Sequence, residues 1–386
     1  MDFNQIIDRR GTYCTQWDYV QDRFGVKDLL PFTISDTDFK VPEIVNEAIL
    51  KRVNHPIYGY TRWNNGDFQN SVTSWYQRRM DTNIDSKWIV YSPSVMYSVS
   101  QLIQIVSKED DGVIIQTPGY DAFFKTIRGN NRQIVENPLN YKDGVYALDF
   151  EDLEEKLKLK NNSVLLLCSP HNPTGKVWSE DELIKIIELC AEYDVFIISD
   201  EIHMDVLRKN IQHHPILKFS INNIAIVTSA SKTFNFPGLI FSYAIIPDVV
   251  IQENFLYNLK NKDGLSSTSI LGLEATMAAY NHSETWVDDL NIYIEKNYNY
   301  VKEQMAKYFP DFKVVESNST YLMWIDVSES HYSMDEIQNA LINVGKVAIM
   351  DGKIYGGNGQ DFLRLNIGCP MDKLVDGIER MKKSLL

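Results

Sequence analysis

The sequence lacks several features that mark particular classes of protein. Its four cysteines lie far apart and form no Cys-x-x-Cys pair, which argues against a disulfide framework or a zinc site. The first residues show no cationic stretch followed by an apolar one, and no apolar run approaches the length that spans a bilayer. We therefore expect reduced thiols, no metal, no membrane partner and a cytoplasmic location.

Positive charge is also scarce. The chain has 38 Lys and Arg against 52 Asp and Glu, a formal net charge of -14. Because binding to a phosphate backbone needs clustered Lys and Arg, this balance argues against a nucleic-acid partner. The 386 residues, of which 44% are hydrophobic, are enough for two domains and a large core.

The middle of the chain alternates between short apolar runs and helical patterns. The runs predicted as strands cover residues 89–91, 113–115, 164–168, 195–198 and 224–227. Strands that are apolar throughout are typical of a parallel sheet covered by helices on both faces. We therefore predict an α/β fold whose large domain has three αβα layers around a mostly parallel sheet.

The two ends of the chain differ from this pattern. Residues 1–45 show no sustained periodicity and are predicted as an irregular arm. A long amphipathic helix over residues 286–308 precedes three predicted strands, at residues 312–315, 321–326 and 362–366. We predict that residues 46–285 form the large domain, and that residues 1–45 and 286–386 form a smaller α+β domain.

Lys232 follows the last apolar run of the large domain. The run ends in Ser229 and Ser231, and open α/β folds place their ligands at this edge of the sheet. Hydroxyls suit phosphate oxygens and an amine suits an aldehyde, which together predict pyridoxal 5'-phosphate held by Lys232 as a Schiff base. Taken alone, an ordinary lysine in a polar loop stays an alternative.

Other strand ends supply the remaining groups that this cofactor needs. Asp200 directly follows one run, where a carboxylate keeps the pyridine nitrogen protonated. Asn172 or His203 is predicted to bond the phenolic oxygen. The free amides of Val95 and Met96, at the start of a predicted helix, are expected to bind the phosphate with the two serines.

These motifs resemble a known family. The order and spacing of residues 172–175 (Asn-Pro-Thr-Gly), 199–201 (Ser-Asp-Glu) and 229–232 (Ser-x-Ser-Lys) are similar to those of fold-type I pyridoxal-phosphate enzymes of the class I/II aminotransferase family. The sequences at residues 17–18, 35–39, 58–61, 118–120 and 200–205 resemble its cystathionine beta-lyase, or C-S lyase, branch.

The resemblance implies a role for each motif residue. Lys232 would be the covalent anchor of the cofactor and the base at Cα, and Tyr120 would stack on the ring. Arg364 would clamp the substrate carboxylate, a task that suits a planar bidentate donor. Tyr60, or less readily Tyr58, would reach the phosphate from a neighbouring subunit, which implies a homodimer with shared active sites.

Two positions depart from the family pattern. His203 stands where many aminotransferases have a tyrosine, which fits the lyase branch. Ile240 stands where a basic residue often binds the phosphate, so the phosphate has fewer charged partners than usual.

The predicted activity is α,β-elimination from a small amino-acid substrate. A cysteine S-conjugate such as cystathionine would yield a thiol, pyruvate and ammonia. An aminotransferase on the same scaffold is an alternative, because the fold does not settle the reaction. A pyridoxal-phosphate protein that acts mainly by binding a regulatory partner is a further alternative.

Overall fold

The computed structural model describes residues 2–386, which contain two principal sheets and a short hairpin. The strands are β1 (Leu30–Phe32), β2 (Ile89–Ser92), β3 (Gly112–Thr117), β4 (Gln133–Pro138), β5 (Asn140–Lys142), β6 (Val145–Ala147), β7 (Asn162–Cys168), β8 (Phe196–Asp200), β9 (Ile224–Thr228), β10 (Ser242–Ile245), β11 (Lys313–Val314), β12 (Leu322–Asp326), β13 (Val347–Asp351) and β14 (Phe362–Asn366).

Helices cover both sheets and connect their strands. They are α1 (Val20–Phe24), α2 (Glu43–Val53), α3 (Gly66–Met80), α4 (Val95–Val106), α5 (Asp121–Gly129), α6 (Phe150–Leu157), α7 (Glu180–Glu192), α8 (Ser231–Phe234), α9 (Val249–Tyr257), α10 (Ile270–His282), α11 (Glu284–Tyr308), α12 (Met334–Asn339) and α13 (Met371–Leu385). None of the helices in residues 2–386 is long and apolar enough to cross a membrane.

The larger sheet has seven strands in the order β2-β10-β9-β8-β7-β3-β4. The neighbouring strands β4 and β3, β3 and β7, β7 and β8, and β8 and β9 pair in parallel. Strand β10 runs antiparallel to both of its neighbours, β2 and β9. Successive residues of one strand enter different cores: Ile114 packs in one apolar cluster, and Val113 and Ile115 pack in the other with α4 and α5. The predicted three-layer α/β class is confirmed.

The smaller sheet has the order β1-β13-β14-β12-β11, in which only the β1–β13 pair is parallel. It is joined to the larger sheet by α11, which covers the predicted long helix and begins two residues earlier. The division of the chain at residues 46 and 285 stays a prediction.

The prediction of an irregular N-terminal arm was wrong in part. Residues 20–24 form α1, and residues 30–32 form an edge strand of the smaller sheet. The strand is short and contains Pro31, which edge strands tolerate, so its pattern carries little strand signal. Its structure depends on pairing with β13, more than 300 residues away.

Candidate active site

The carboxyl ends of β7, β8 and β9 meet the start of α4 around a cavity of about 190 Å³. The cavity is formed there because parallel strands deliver their following loops to the same sheet edge. The predicted site residues that line it are Val95, Met96, Tyr120, Asn172, Asp200, His203, Ser229, Ser231 and Lys232.

Lys232 lies on the short helix α8 with its amine in the cavity. The ammonium Nζ donates a hydrogen bond to the backbone carbonyl of Ser35, from the N-terminal part of the chain. Burial lowers the pKa of Lys232 to about 8, with Asp36 and Asp200 raising it and Arg364 lowering it. The amine is therefore closer to its nucleophilic, uncharged form at neutral pH than a surface lysine.

Asp200 is the last residue of β8 and is buried. Burial raises the pKa of its carboxyl to about 7, although the backbone N–H of Ile202 and the Lys232 cation lower it. The Ile202 nitrogen donates to the Asp200 Oδ1 atom at 3.1 Å, which fixes the carboxyl group. A cationic ring nitrogen in this cavity would restore the ionised form, because an opposite charge favours the carboxylate.

The start of α4 provides the predicted anion-binding amides. Ser94 is the N-cap, and its hydroxyl accepts the N–H of Tyr97 at 3.1 Å. The amides of Val95 and Met96 belong to the first helical turn, where a helix leaves N–H groups without intrahelical partners. Val95 and Met96 line the cavity together with Ser231.

Ser229 is more constrained than the sequence suggests. Its hydroxyl donates to the carbonyl of Phe241 at 2.7 Å and accepts the N–H of Ser231 at 3.1 Å. A phosphate contact by Ser229 would therefore replace a bond that the protein already makes.

Arg364 adjoins the cavity from strand β14 of the smaller sheet and is only 3% exposed. Its Nη1 donates to the Asn172 Oδ1 atom at 3.2 Å, and its Nη2 donates to the carbonyl of Thr33 at 2.8 Å. The guanidinium lies 4.8 Å from the centroid of the Tyr355 ring. Its Nε is buried and has no partner within residues 2–386, so the guanidinium retains donor capacity that a substrate carboxylate can use.

His203 and Tyr120 form part of the cavity wall. Burial, with the cations of Lys232 and Arg364 nearby, lowers the pKa of His203 to about 3, so this imidazole is neutral at pH 7. Its Nδ1 atom is buried and has no hydrogen-bond partner among the described residues. Burial also raises the pKa of the Tyr120 hydroxyl, which stays protonated.

Tyr58 and Tyr60 do not reach the cavity within one chain. Tyr60 is 100% exposed, and Tyr58 is more than half exposed with its hydroxyl donating to the carbonyl of Val53 at 3.0 Å. Their predicted contacts require a second subunit.

Sequence reasoning assigned no role to Ser35 or Tyr321. The Tyr321 hydroxyl donates at 3.0 Å to the same Ser35 carbonyl that accepts Lys232. Tyr321 was read only as part of a strand, and a backbone carbonyl carries no sequence signal. The only sequence signal that pointed to Ser35 was its position in the motif at residues 35–39.

The residues present fit pyridoxal phosphate. The unpartnered Nδ1 of His203 and the partly unused Arg364 lie beside a buried lysine and a buried aspartate. The first turn of α4, whose amides favour an anion, lines the same cavity. A larger groove of about 1230 Å³ lies elsewhere on the molecule, and none of the predicted site residues lines it.

Comparison with known proteins agrees with this architecture. The family model for aminotransferase class I and II matches residues 27–381. Protein MalY of Escherichia coli (strain K12) is 44% identical over 377 residues, covering 98% of this chain and 97% of MalY. Cystathionine beta-lyase PatB of Bacillus subtilis (strain 168) is 38% identical over 388 residues, covering both chains completely.

A solved structure gives the same result for the fold. The PLP-bound C-S lyase of Staphylococcus hominis superposes with a TM-score of 0.91 at 30% identity, covering 100% of this chain and 99% of that one. The chain therefore belongs to the class I and II aminotransferase family and is a fold-type I pyridoxal-phosphate enzyme.

Proposed function

We propose that this protein is a pyridoxal-phosphate-dependent carbon–sulfur β-lyase that converts a cysteine S-conjugate, such as cystathionine, into a thiol, pyruvate and ammonia. The observation that carries the proposal is the buried Lys232 amine, which shares one cavity with Asp200 and is close enough to Arg364 for that cation to lower its pKa. Whole-length similarity to a cystathionine beta-lyase supports the lyase reaction over other chemistry on this fold.

Each side chain has a defined task in this reaction. Lys232 binds the cofactor aldehyde, and Asp200 pairs with the ring nitrogen. Asn172 bonds the phenolic oxygen, with His203 as the alternative, and Tyr120 packs against the ring. When bound, pyridoxal phosphate supplies the electron sink that stabilises negative charge at Cα.

The phosphate and the substrate are bound at opposite sides of the cavity. Ser231, Ser229 and the amides of Val95 and Met96 hold the phosphate, and Tyr60 of a second subunit adds a contact. Tyr58 is the alternative for that contact. Arg364 binds the substrate carboxylate and so orients the Cα–H bond towards Lys232.

Lys232 is the group that moves the proton. When it is not bonded to the cofactor, the Lys232 amine would take the proton from Cα. The electron pair left at Cα would form a double bond to Cβ as the thiolate leaves with the electrons of the C–S bond, and the proton held by Lys232 would pass to the thiolate to give the thiol. The released enamine takes up water to give pyruvate and ammonia.

We also infer a cytoplasmic homodimer. Exposed apolar side chains extend from α2 into the segment that carries Tyr60, and the large ones are Ile44, Leu50, Val53, Ile57, Tyr58 and Tyr60. A second copy that covered them would bring Tyr60 to the neighbouring cavity.

The reaction is tested with purified protein, cofactor and L-cystathionine, with no keto acid added. We expect thiol and pyruvate in equal amounts, because both come from one C–S cleavage. Lys232→Ala should abolish both products and the visible band of the bound cofactor, whereas replacement of the exposed Lys218 by Ala should leave them unchanged. Turnover that required a keto acid and released no thiol would identify an aminotransferase instead.

A further inference from the structure

A short segment of the N-terminal part of the chain lies across the site. We call residues 33–39 the strap. Its Thr33 carbonyl accepts the Arg364 Nη2, and its Ser35 carbonyl accepts the Lys232 Nζ. The two cations on which the proposed reaction depends are thus held by the backbone of one segment.

Asn235 fastens this strap to the helix of Lys232. It follows Lys232 by three residues and ends α8 in the left-handed conformation, with φ of 59°. Its Nδ2 donates to the carbonyls of Thr37 at 2.9 Å and Phe39 at 2.7 Å, and its Oδ1 accepts the Thr37 N–H at 3.0 Å. The side-chain amide thus makes three bonds, all to strap backbone.

Residues outside α8 also fasten the strap. Asn366, two residues after Arg364, donates from Nδ2 to the carbonyls of Ile34 and Asp36. Arg9 binds the carboxylate of Asp36 at 2.7 Å. Asn366 therefore holds the strap on both sides of Ser35, and Arg9 also donates to the Thr37 carbonyl at 3.0 Å. Asn235 ties the strap to α8, and the Thr33 carbonyl that accepts Arg364 lies beyond the Asn366 bonds, so Arg364 is expected to stay in place without the Asn235 amide.

We propose that Asn235 is a positioning residue that keeps the Ser35 carbonyl against the Lys232 amine while that amine is not bonded to the cofactor. A carbonyl acceptor stabilises the protonated amine, and so it favours transfer of the Cα proton to Lys232. The inference rests on the role of Lys232 proposed above.

Several other groups face the Lys232 amine. Asp36 and Asp200 favour its protonated form, whereas Arg364 and burial disfavour it. The Tyr321 hydroxyl donates to the same Ser35 carbonyl as Lys232. His203, which is neutral, lies near the Lys232 amine. The three Asn235 hydrogen bonds go to the strap backbone and to none of these side chains. Loss of the Asn235 amide is therefore expected to act through the strap.

Asn235 also has a simpler interpretation, since asparagine is favoured wherever a helix ends in the left-handed conformation. Asn235→Gly separates the two interpretations, because glycine keeps this backbone without strain and removes only the amide. Asn131→Gly is the matched control: Asn131 is exposed and has φ of 55°.

The first measurement is steady-state kinetics of the holoenzymes. We expect Asn235→Gly to lower kcat roughly 10- to 100-fold, as small misplacements of a reacting group do, with KM within about twofold because Arg364 stays fixed. Asn235→Asp should lower kcat further, since its carboxylate would face two carbonyls. Asn131→Gly should match the wild type, and the melting temperature of each variant reports on folding.

The second measurement does not depend on turnover. In the cofactor-free full-length chain, the rate of Lys232 acetylation by acetic anhydride is followed against pH by peptide mass spectrometry. Loss of the carbonyl acceptor should move the midpoint down by about one pH unit in Asn235→Gly, a tenfold change in proton affinity, and leave it unchanged in Asn131→Gly.

An unshifted midpoint would overturn the inference, whether activity is kept or falls in parallel with the melting temperature. Asn235 would then be an ordinary helix-terminating residue. If the wild type released neither thiol nor pyruvate, the proposed lyase function would fail, yet the midpoint would still decide the role of Asn235.

Discussion

Ile240 has a backbone conformation that is unusual for isoleucine and a side chain that is unusual for its place beside the proposed phosphate site. It lines the cavity and is 58% exposed, yet its backbone is left-handed with φ of 51°. A β-branched residue is strained in this conformation. The same position is where the family resemblance led us to expect a basic phosphate ligand.

Replacement of Ile240 by Lys should therefore tighten cofactor binding. The new ammonium would stand at the cavity that the proposed phosphate ligands line, and one added exposed ion pair is worth up to roughly fivefold in affinity. Ile240→Asn is the control, since it relieves the backbone strain without adding charge. The dissociation constant from cofactor titration should fall in the lysine variant alone, and an equal gain in both variants would assign the effect to strain.

Among the secondary-structure elements, the start of α4 is the part of the proposed phosphate site whose role follows most directly from its backbone geometry. Val95 is the first helical residue, and the preceding Ser94 is extended with φ of -155° and ψ of 157°. Proline is well tolerated after such a residue and at the first helical position, where it removes one N–H and keeps the helix.

Val95→Pro should consequently weaken cofactor binding and leave the fold intact. Loss of one charge-assisted hydrogen bond corresponds to roughly 10- to 100-fold in affinity. Glu180→Pro makes the same change at the first position of α7, away from the cavity, after the extended Ser179. Affinity would be measured by titration and helix content by circular dichroism; unchanged affinity in Val95→Pro would exclude this amide from the phosphate site.

The elements also show what the sequence could predict. The sequence predicted the apolar strands β2, β3, β7, β8 and β9 and the polar residues at their ends, because burial on both faces and position along one strand are local properties. Strands β4, β10 and β13 were not predicted. Strand β1 was missed since it forms only by pairing with β13. The contact of Lys232 with Ser35 spans 197 residues and ends on a backbone carbonyl, so no local pattern could reveal it.

At the scale of the whole molecule, Tyr60 connects the proposed site to the proposed dimer. A fully exposed tyrosine beside exposed Ile57 and Tyr58 is costly in a monomer and is explained if a second copy covers it. If it reaches the neighbouring phosphate, each active site contains residues of two chains.

Refolding two impaired variants together tests directly whether Tyr60 contributes to the active site of the neighbouring subunit. Lys232→Ala removes the anchor, and Tyr60→Ala removes the contact across the interface, so each homodimer should be impaired. After unfolding and refolding together, half of the dimers should be hybrids with one intact site, which restores about a quarter of wild-type activity. No recovery, in a mixture that light scattering shows to contain dimers, would mean that Tyr60 acts on its own subunit. A fully active Tyr60→Ala homodimer would mean that Tyr60 has no role in the site.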